Sequence, residues 1–282
     1  LGLTGKGIGV AVLDTGIFLH RDFDSRVTGF ADMVNGKNFA YDDCGHGTHI
    51  CGIIGGSGRM SGGRYSGIAP GCDLVMVKVL DRKGNGYSSD VLAGISWILE
   101  RKEKLGIRIL NISVGACSKR GMSENSALVK GVNRAWDAGL VVVVAAGNNG
   151  PRTMSITTPG ISRKVITVGC SDDDREVLVG GNRMVDYSGR GPTAACICKP
   201  DLVAPGCSVV SCSSRADKYT IKSGTSMSTP IVSGAVALLL ERFPDMTNKD
   251  VKLRLRESSV DIGLPRNQQG WGKFNCKKFL AL

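Results

Sequence analysis

Short apolar runs rich in β-branched residues alternate along this chain with stretches of helical periodicity. Ile8-Gly9-Val10-Ala11-Val12-Leu13 reads as a buried strand that runs into a turn at Asp14-Thr15-Gly16. Leu74 to Leu80, Ile107 to Val114, Leu140 to Ala146 and Val165 to Val168 have the same character. Val91, Leu92, Ile95, Ile98 and Leu99 fall on one face of a helix starting near Ser89. Leu128, Val132, Ala135 and Trp136 mark another, which Ser123 would cap and Gly139 would end. Two more helices are predicted, one from about Ser226 to Arg242 and one from a Thr247 cap to Glu257, with Asp250 in its first turn. This alternation predicts an α/β fold of three layers, a mostly parallel central sheet with helices on both faces. Sites in such sheets lie beyond the strand C-terminal ends, where Asp14 and Asn148 fall. No repeat, low-complexity tract or Pro/Ser-rich linker interrupts the pattern, so residues 1–282 are expected to form a single domain.

Composition changes this picture little. Hydrophobic residues make up 42% and charged residues 22%, and no run is long enough for a membrane span. The net charge of +11 is spread along the chain, and aromatic residues are only 5%, so a solvated basic surface is expected rather than a nucleic-acid interface. Ten cysteines exceed what a chain this large needs as a disulfide framework. Several sit in strand contexts, as at Cys170 and Cys212, and read as buried thiols, which points to a reducing cytoplasm or an anaerobic source. Cys196, Cys198, Cys207 and Cys212 match no common zinc spacing.

Four short motifs carry candidate chemistry, and each is ambiguous alone. Asp14-Thr15-Gly16 suits half of an aspartic protease, but no second copy follows, and a turn residue is the plainer alternative. Cys44-Gly45-His46-Gly47-Thr48-His49-Ile50-Cys51 holds two of the three histidines without a familiar zinc spacing. Ala145-Ala146-Gly147-Asn148 ends an apolar strand with an amide, either a turn asparagine or an oxyanion donor. Gly224-Thr225-Ser226-Met227-Ser228-Thr229-Pro230 opens an apolar helix, with Pro230 tolerable if it lies in the first turn. Its serine is either a cap or a nucleophile beside outward-pointing N–H groups.

Together, in this order, the four motifs resemble those of the subtilisin-like serine proteases, over about Gly5 to Asn275. Gly67-Ile68-Ala69-Pro70, Asn111-Ile112-Ser113-Val114-Gly115 and Tyr187-Ser188-Gly189-Arg190-Gly191-Pro192 add to the resemblance, as does the run from Lys199 to Gly206. The resemblance implies the three-layer subtilisin-like fold. It also implies an endopeptidase in which Ser226 attacks through an acyl-enzyme, His46 is the base and Asp14 orients it. Asn148 and the Ser226 N–H would hold the oxyanion, with Thr225 as a further hydroxyl donor. Substrate would lie as an extended strand between Gly84-Asn85-Gly86 and Ser113-Val114-Gly115. Ala145, Ala146, Gly147 and Thr157 would wall the primary specificity pocket, with Thr157 shortening it.

Relatives are made with an N-terminal prodomain, expected here as a removed segment or a separate inhibitory chain. The other implied partner is a peptide or protein substrate. A monomer, with no nucleic-acid partner, is expected. A processing role is one candidate use of such an activity, and export is the family's default, against the thiol-based expectation of a reducing compartment. Many relatives bind calcium with an acidic residue near the position of Asp22. The loop from Ser57 to Tyr65 offers two arginines and no carboxylate or amide, so that site is expected to be absent and no cofactor is required for catalysis. Asp201 is a candidate for a weaker cation site, with Arg163 and Lys164 as charges that would replace the ion. A pseudoprotease acting as a binding protein is the alternative from another class. A metal module built on Cys44, His46, His49 and Cys51 is a third.

Overall fold

The computed structural model describes residues 2–115 and 124–281. In chain order the strands and helices are β1 Gly9–Asp14, β2 Val27–Asp32, α1 His46–Gly55, β3 Asp73–Lys78, α2 Ser88–Arg101 and β4 Ile107–Ile112. They continue with α3 Ala127–Asp137, β5 Val141–Ala145, β6 Ile166–Cys170, β7 Val177–Val179, β8 Asn182–Met184 and β9 Leu202–Ala204. The last are β10 Val209–Cys212, β11 Tyr219–Lys222, α4 Thr225–Arg242, α5 Asn248–Ser258, α6 Arg266–Gln269 and α7 Cys276–Leu280.

The chain divides into two compact units. The first holds residues 1–111, 210–221 and 233–245. Its strands lie in the order β2-β3-β1-β4, with β1 and β2 both parallel to β3. β1 and β3 are apolar and almost entirely buried, as the continuous hydrophobic runs require. β2 escapes that pattern because its sequence, VTGFAD, is mixed and half-exposed. Asp14 and Lys78 face each other at the ends of β1 and β3.

The second unit holds residues 112–209, 222–232 and 246–282. Its strands lie in the order β5-β6-β9, again parallel. β5 is buried throughout. The α3 cap differs from expectation. Ser126 accepts from the Val129 N–H, whereas Ser123 lies outside the described residues. α5 begins as expected, with a reciprocal Thr247–Asp250 capping box. α4 starts one residue before Ser226, so Pro230 is its sixth residue rather than a first-turn one. The missing Pro230 N–H removes the intrahelical donor to the Ser226 carbonyl.

Candidate active site

In the first unit, the turn after β1 and the start of α1 are built as one polar network. Asp14 is fully buried, and the His46 Nδ1 lies 2.8 and 2.9 Å from its two carboxylate oxygens. An ionised carboxylate only accepts, so Nδ1 carries the proton and Nε2 is the basic nitrogen. The imidazole is 23% exposed, while its carboxylate partner is fully buried. The Thr15 N–H also donates to Asp14 Oδ1, at 2.7 Å.

Asp42, which sequence reasoning did not single out, organises this region. Its Oδ1 accepts from Thr15 Oγ1 and from the Cys44 and Gly45 N–H groups, and its Oδ2 accepts from the Thr48 N–H and hydroxyl. A carboxylate at a helix N-terminus satisfies orphan N–H groups and complements the dipole there. Thr15 Oγ1 in turn accepts from the Gly47 N–H at 2.9 Å. The approach of these two segments is why glycines stand there. A Cβ on Gly47 would strike the Gly16 carbonyl, and one on Gly16, at φ +122°, would strike that of Tyr41.

Lys78 is a second residue the sequence did not flag. Its buried ammonium donates to the Thr15 and Leu80 carbonyls and to Asp43 Oδ1, at 2.6–2.8 Å. It fixes the turn that carries Asp14. Gly84, Asn85 and Gly86 form an exposed loop beyond β3, shaped by Asp81, whose carboxylate accepts from the Lys83 and Asn85 N–H groups.

In the second unit, Asn148 follows β5, and its Oδ1 accepts from the Thr225 N–H at 2.9 Å and the Thr225 hydroxyl at 3.0 Å. That fixes the amide's orientation, so Nδ2 is the end presented as donor, beside Gly224. Thr225 therefore holds Asn148 instead of offering its own proton as a further oxyanion donor. It is fully buried, and its oxygen also accepts from the Gly147 N–H. Ser226, partly exposed, donates its hydroxyl proton to the Ser113 carbonyl at 2.6 Å. Ser228 ties α4 to the end of β9 by a buried bond to the Ala204 carbonyl.

Thr157, expected as one wall of the specificity pocket, packs against Gly115 and Gly147. It is buried, its N–H and hydroxyl both bond the Ala146 carbonyl, and its side chain fills the space that a Cβ on Gly115 or Gly147 would occupy. Ala145 and Ala146 are buried at the end of β5.

Asp22 is buried and already partnered. Its carboxylate accepts from the Met60 N–H at 2.9 Å and the Tyr219 hydroxyl at 2.7 Å. Burial pushes the Tyr219 phenol up to about 12, which keeps that donor protonated. Arg59 pairs with Asp24, and the Arg26 guanidinium takes the Asp22, Gly55 and Cys72 carbonyls. At Asp201 the ammonium groups are those of Lys199, 2.6 Å away, and Lys252, 3.5 Å away. Lys252 collects the carbonyls of Arg163, Lys164 and Val165. The side chains of Arg163 and Lys164, expected to replace the ion, instead pair with Glu124 and Asp137.

Nine cysteines are described, and none of them is paired with another in a disulfide. Cys51, Cys72, Cys170, Cys207 and Cys212 are buried as expected, whereas Cys44, Cys196, Cys198 and Cys276 are exposed. Among the described residues, neither the Cys196–Cys212 set nor the Cys44–Cys51 set gathers into a metal-ligand cluster.

Residues 5–272 match the model of the Subtilase family of S8 peptidases. The chain belongs to the subtilase family. It is 43% identical over 274 residues to serine protease AprX of Bacillus subtilis, covering 91% of this chain and 62% of that one. It is 36% identical to a thermostable alkaline protease of Halalkalibacterium halodurans, covering 94% and 65%. It thus spans less than two thirds of either curated relative. Sphericase, a solved structure 31% identical in sequence, superposes with a TM-score of 0.80 over 97% of this chain and 92% of its own. The fold is the three-layer subtilisin-like α/β class that the alternation of strands and helices predicts. No helix among the described residues is long and apolar enough to cross a membrane.

Proposed function

We propose that this chain is a serine endopeptidase in which Ser226 forms an acyl-enzyme with the carbonyl it attacks. His46 Nε2 takes the Ser226 proton and later gives it to the leaving amine, while Asp14 holds the imidazole in that tautomer and stabilises its charged form. The Asn148 Nδ2–H and the Ser226 N–H stabilise the oxyanion. The observation that carries the proposal is the buried Asp14 carboxylate on His46 Nδ1, which leaves Nε2 as the base. Membership of the subtilase family supports joining this pair to Ser226 and Asn148. Substrate binds as an extended strand along Gly84-Asn85-Gly86 and Ser113-Val114-Gly115, and the side chain before the cleaved bond enters the space walled by Ala145, Ala146, Gly147 and Thr157. Because Thr157 occupies that space, small and medium side chains are preferred.

The donors around Asp22 do not suit calcium. Its carboxylate oxygens receive N–H and O–H donors, and Arg26 occupies carbonyls nearby, whereas calcium needs six to eight oxygen ligands. We assign no calcium to that position, and at Asp201 the two lysine ammonium groups take the cation's place. Incubating the protein with a mixed peptide library and sequencing the new N-termini tests the function. Internal cleavage that disappears in Ser226→Ala is expected. No cleavage by folded wild-type protein would instead favour a binding protein.

A further inference from the structure

A second group of reactive side chains lies in the second unit, and the proposed proteolysis does not use it. β6 ends at Cys170, which sits opposite Ala204 of β9. The turn after Ala204 brings Cys207 back over the end of β6. Asp172 pins that turn, its Oδ1 accepting from the Gly206 N–H at 2.7 Å and the Cys207 N–H at 3.2 Å. The sulfurs of Cys170 and Cys207 and a carboxylate oxygen of Asp172 all lie within 4.8 Å of one another. Cys170 Sγ is 3.1 Å from Asp172 Oδ1, and the Tyr187 hydroxyl is 3.2 Å from Cys170 Sγ and 3.1 Å from Cys207 Sγ. Val177, Val179 and Met184 pack against the group. Both thiols are buried, while the Asp172 side chain is 26% exposed, so the cluster is reached from its carboxylate side.

We propose that Cys170, Asp172 and Cys207 form a site for a soft divalent cation of the zinc class. Two sulfurs and a carboxylate are the donors such an ion selects, with metal–ligand bonds of roughly 2.0–2.3 Å. Ligands at those bond lengths stand roughly 3–4 Å from one another, and these three atoms already lie within 4.8 Å of one another, so little movement is needed. The ion replaces the two thiol protons, which leave to solvent, and water takes the fourth position at the exposed edge. Two thiolates, one carboxylate and a dication leave one negative charge. The Arg175 guanidinium, 3.5 Å from Asp172 Oδ2, faces it. Tyr187 is a positioning residue that donates to a ligand sulfur.

The site is coupled to the segment carrying Ser226. The Gly206 carbonyl accepts from the Gly224 N–H at 3.0 Å, and the Ser208 N–H donates to Ser223 Oγ at 2.9 Å. An ion that stiffens the turn from Pro205 to Ser208 therefore stiffens the approach to the nucleophile.

The test is a cadmium titration of protein in which Cys44, Cys117, Cys196, Cys198 and Cys276 are serine, kept under a non-thiol reductant. Expected are one ion bound per chain, a thiolate-to-cadmium charge-transfer band of two-thiolate intensity, and displacement by zinc. Cys170→Ser and Cys207→Ser should abolish the two-thiolate band, Asp172→Asn should weaken binding, and Tyr187→Phe should weaken it by roughly 10–100-fold. Thermal unfolding with and without zinc supplies a second readout that needs no cysteine variant, with zinc raising Tm in the parent and not in Asp172→Asn. The proposal is overturned by absence of binding to the folded parent, by binding that survives Cys207→Ser, or by a Cys170–Cys207 disulfide that persists under the reductant.

Discussion

Ser226 Oγ donates its proton to the main-chain carbonyl of Ser113 at 2.6 Å. Ser113 is also one of the residues proposed to pair with a substrate strand. In the proposed mechanism, a substrate N–H that takes this carbonyl releases the Ser226 proton toward His46. A peptide N-methylated on the residue that supplies the cleaved carbonyl should therefore lose roughly tenfold or more in kcat/KM against its parent, about the value of one hydrogen bond. Equal turnover of the two peptides would contradict this.

Thr157 fills the space beside Gly115 and Gly147. In a matched series differing only at the residue before the cleaved bond, Ala, Leu and Met peptides should be cleaved in preference to Phe. Thr157→Gly should raise kcat/KM for the Phe peptide by roughly 10–100-fold, the scale on which pocket volume discriminates. A clear Phe preference of the wild type would contradict the assignment.

Asn148 depends on Thr225 for its orientation. Asn148→Ala should lower kcat by roughly 10²–10³-fold. Thr225→Val should lower kcat with little change in KM, and Thr225→Ser should restore most of it. Steady-state kinetics on one peptide distinguishes this from a general loss of folding, which would lower the active fraction of both Thr225 variants.

Burial holds the Lys199 ammonium down at about 8, against a pull upward from Asp201. Between that value and the ordinary 10.5, the unfolded chain binds more protons than the folded one, so stability rises with pH. The stability of wild type relative to Lys199→Met should climb through that window, by about 1.4 kcal/mol for each unit of pKa difference, and level off above it. Denaturant unfolding at a series of alkaline pH values measures this. A flat difference would contradict it.

Asp22 is satisfied by protein donors, so a calcium-selective chelator should leave Tm unchanged. A substantial fall in Tm that calcium reverses would restore the metal to that position.

Much of the fold is legible because buried parallel strands need unbroken apolar runs. β1, β3, β4, β5 and β6 were readable for that reason, and the Thr247–Asp250 box announces α5. β2 is half-exposed, and β7, β8 and β9 have three residues each, too few to show a period. Among the residues proposed for catalysis, Asp14, His46, Asn148 and Ser226 stood out only through the order of their motifs. Asp42 and Lys78 did not stand out, because an Asp-Asp pair and a strand-end lysine read as solvated charges. Their roles come from hydrogen bonds between segments distant in sequence, and the traces were an acidic residue before a helix and a lysine inside an apolar run. Thr225 was noticed, but its proton was assigned to the substrate rather than to Asn148.

The most direct test of Ser226 as an activated nucleophile is labelling of the folded protein with a fluorophosphonate, followed by mass spectrometry of its peptides. One phosphonyl group per chain on Ser226, lost in His46→Ala, is the expected result. No label on folded wild-type protein, or a label on another residue, would contradict it.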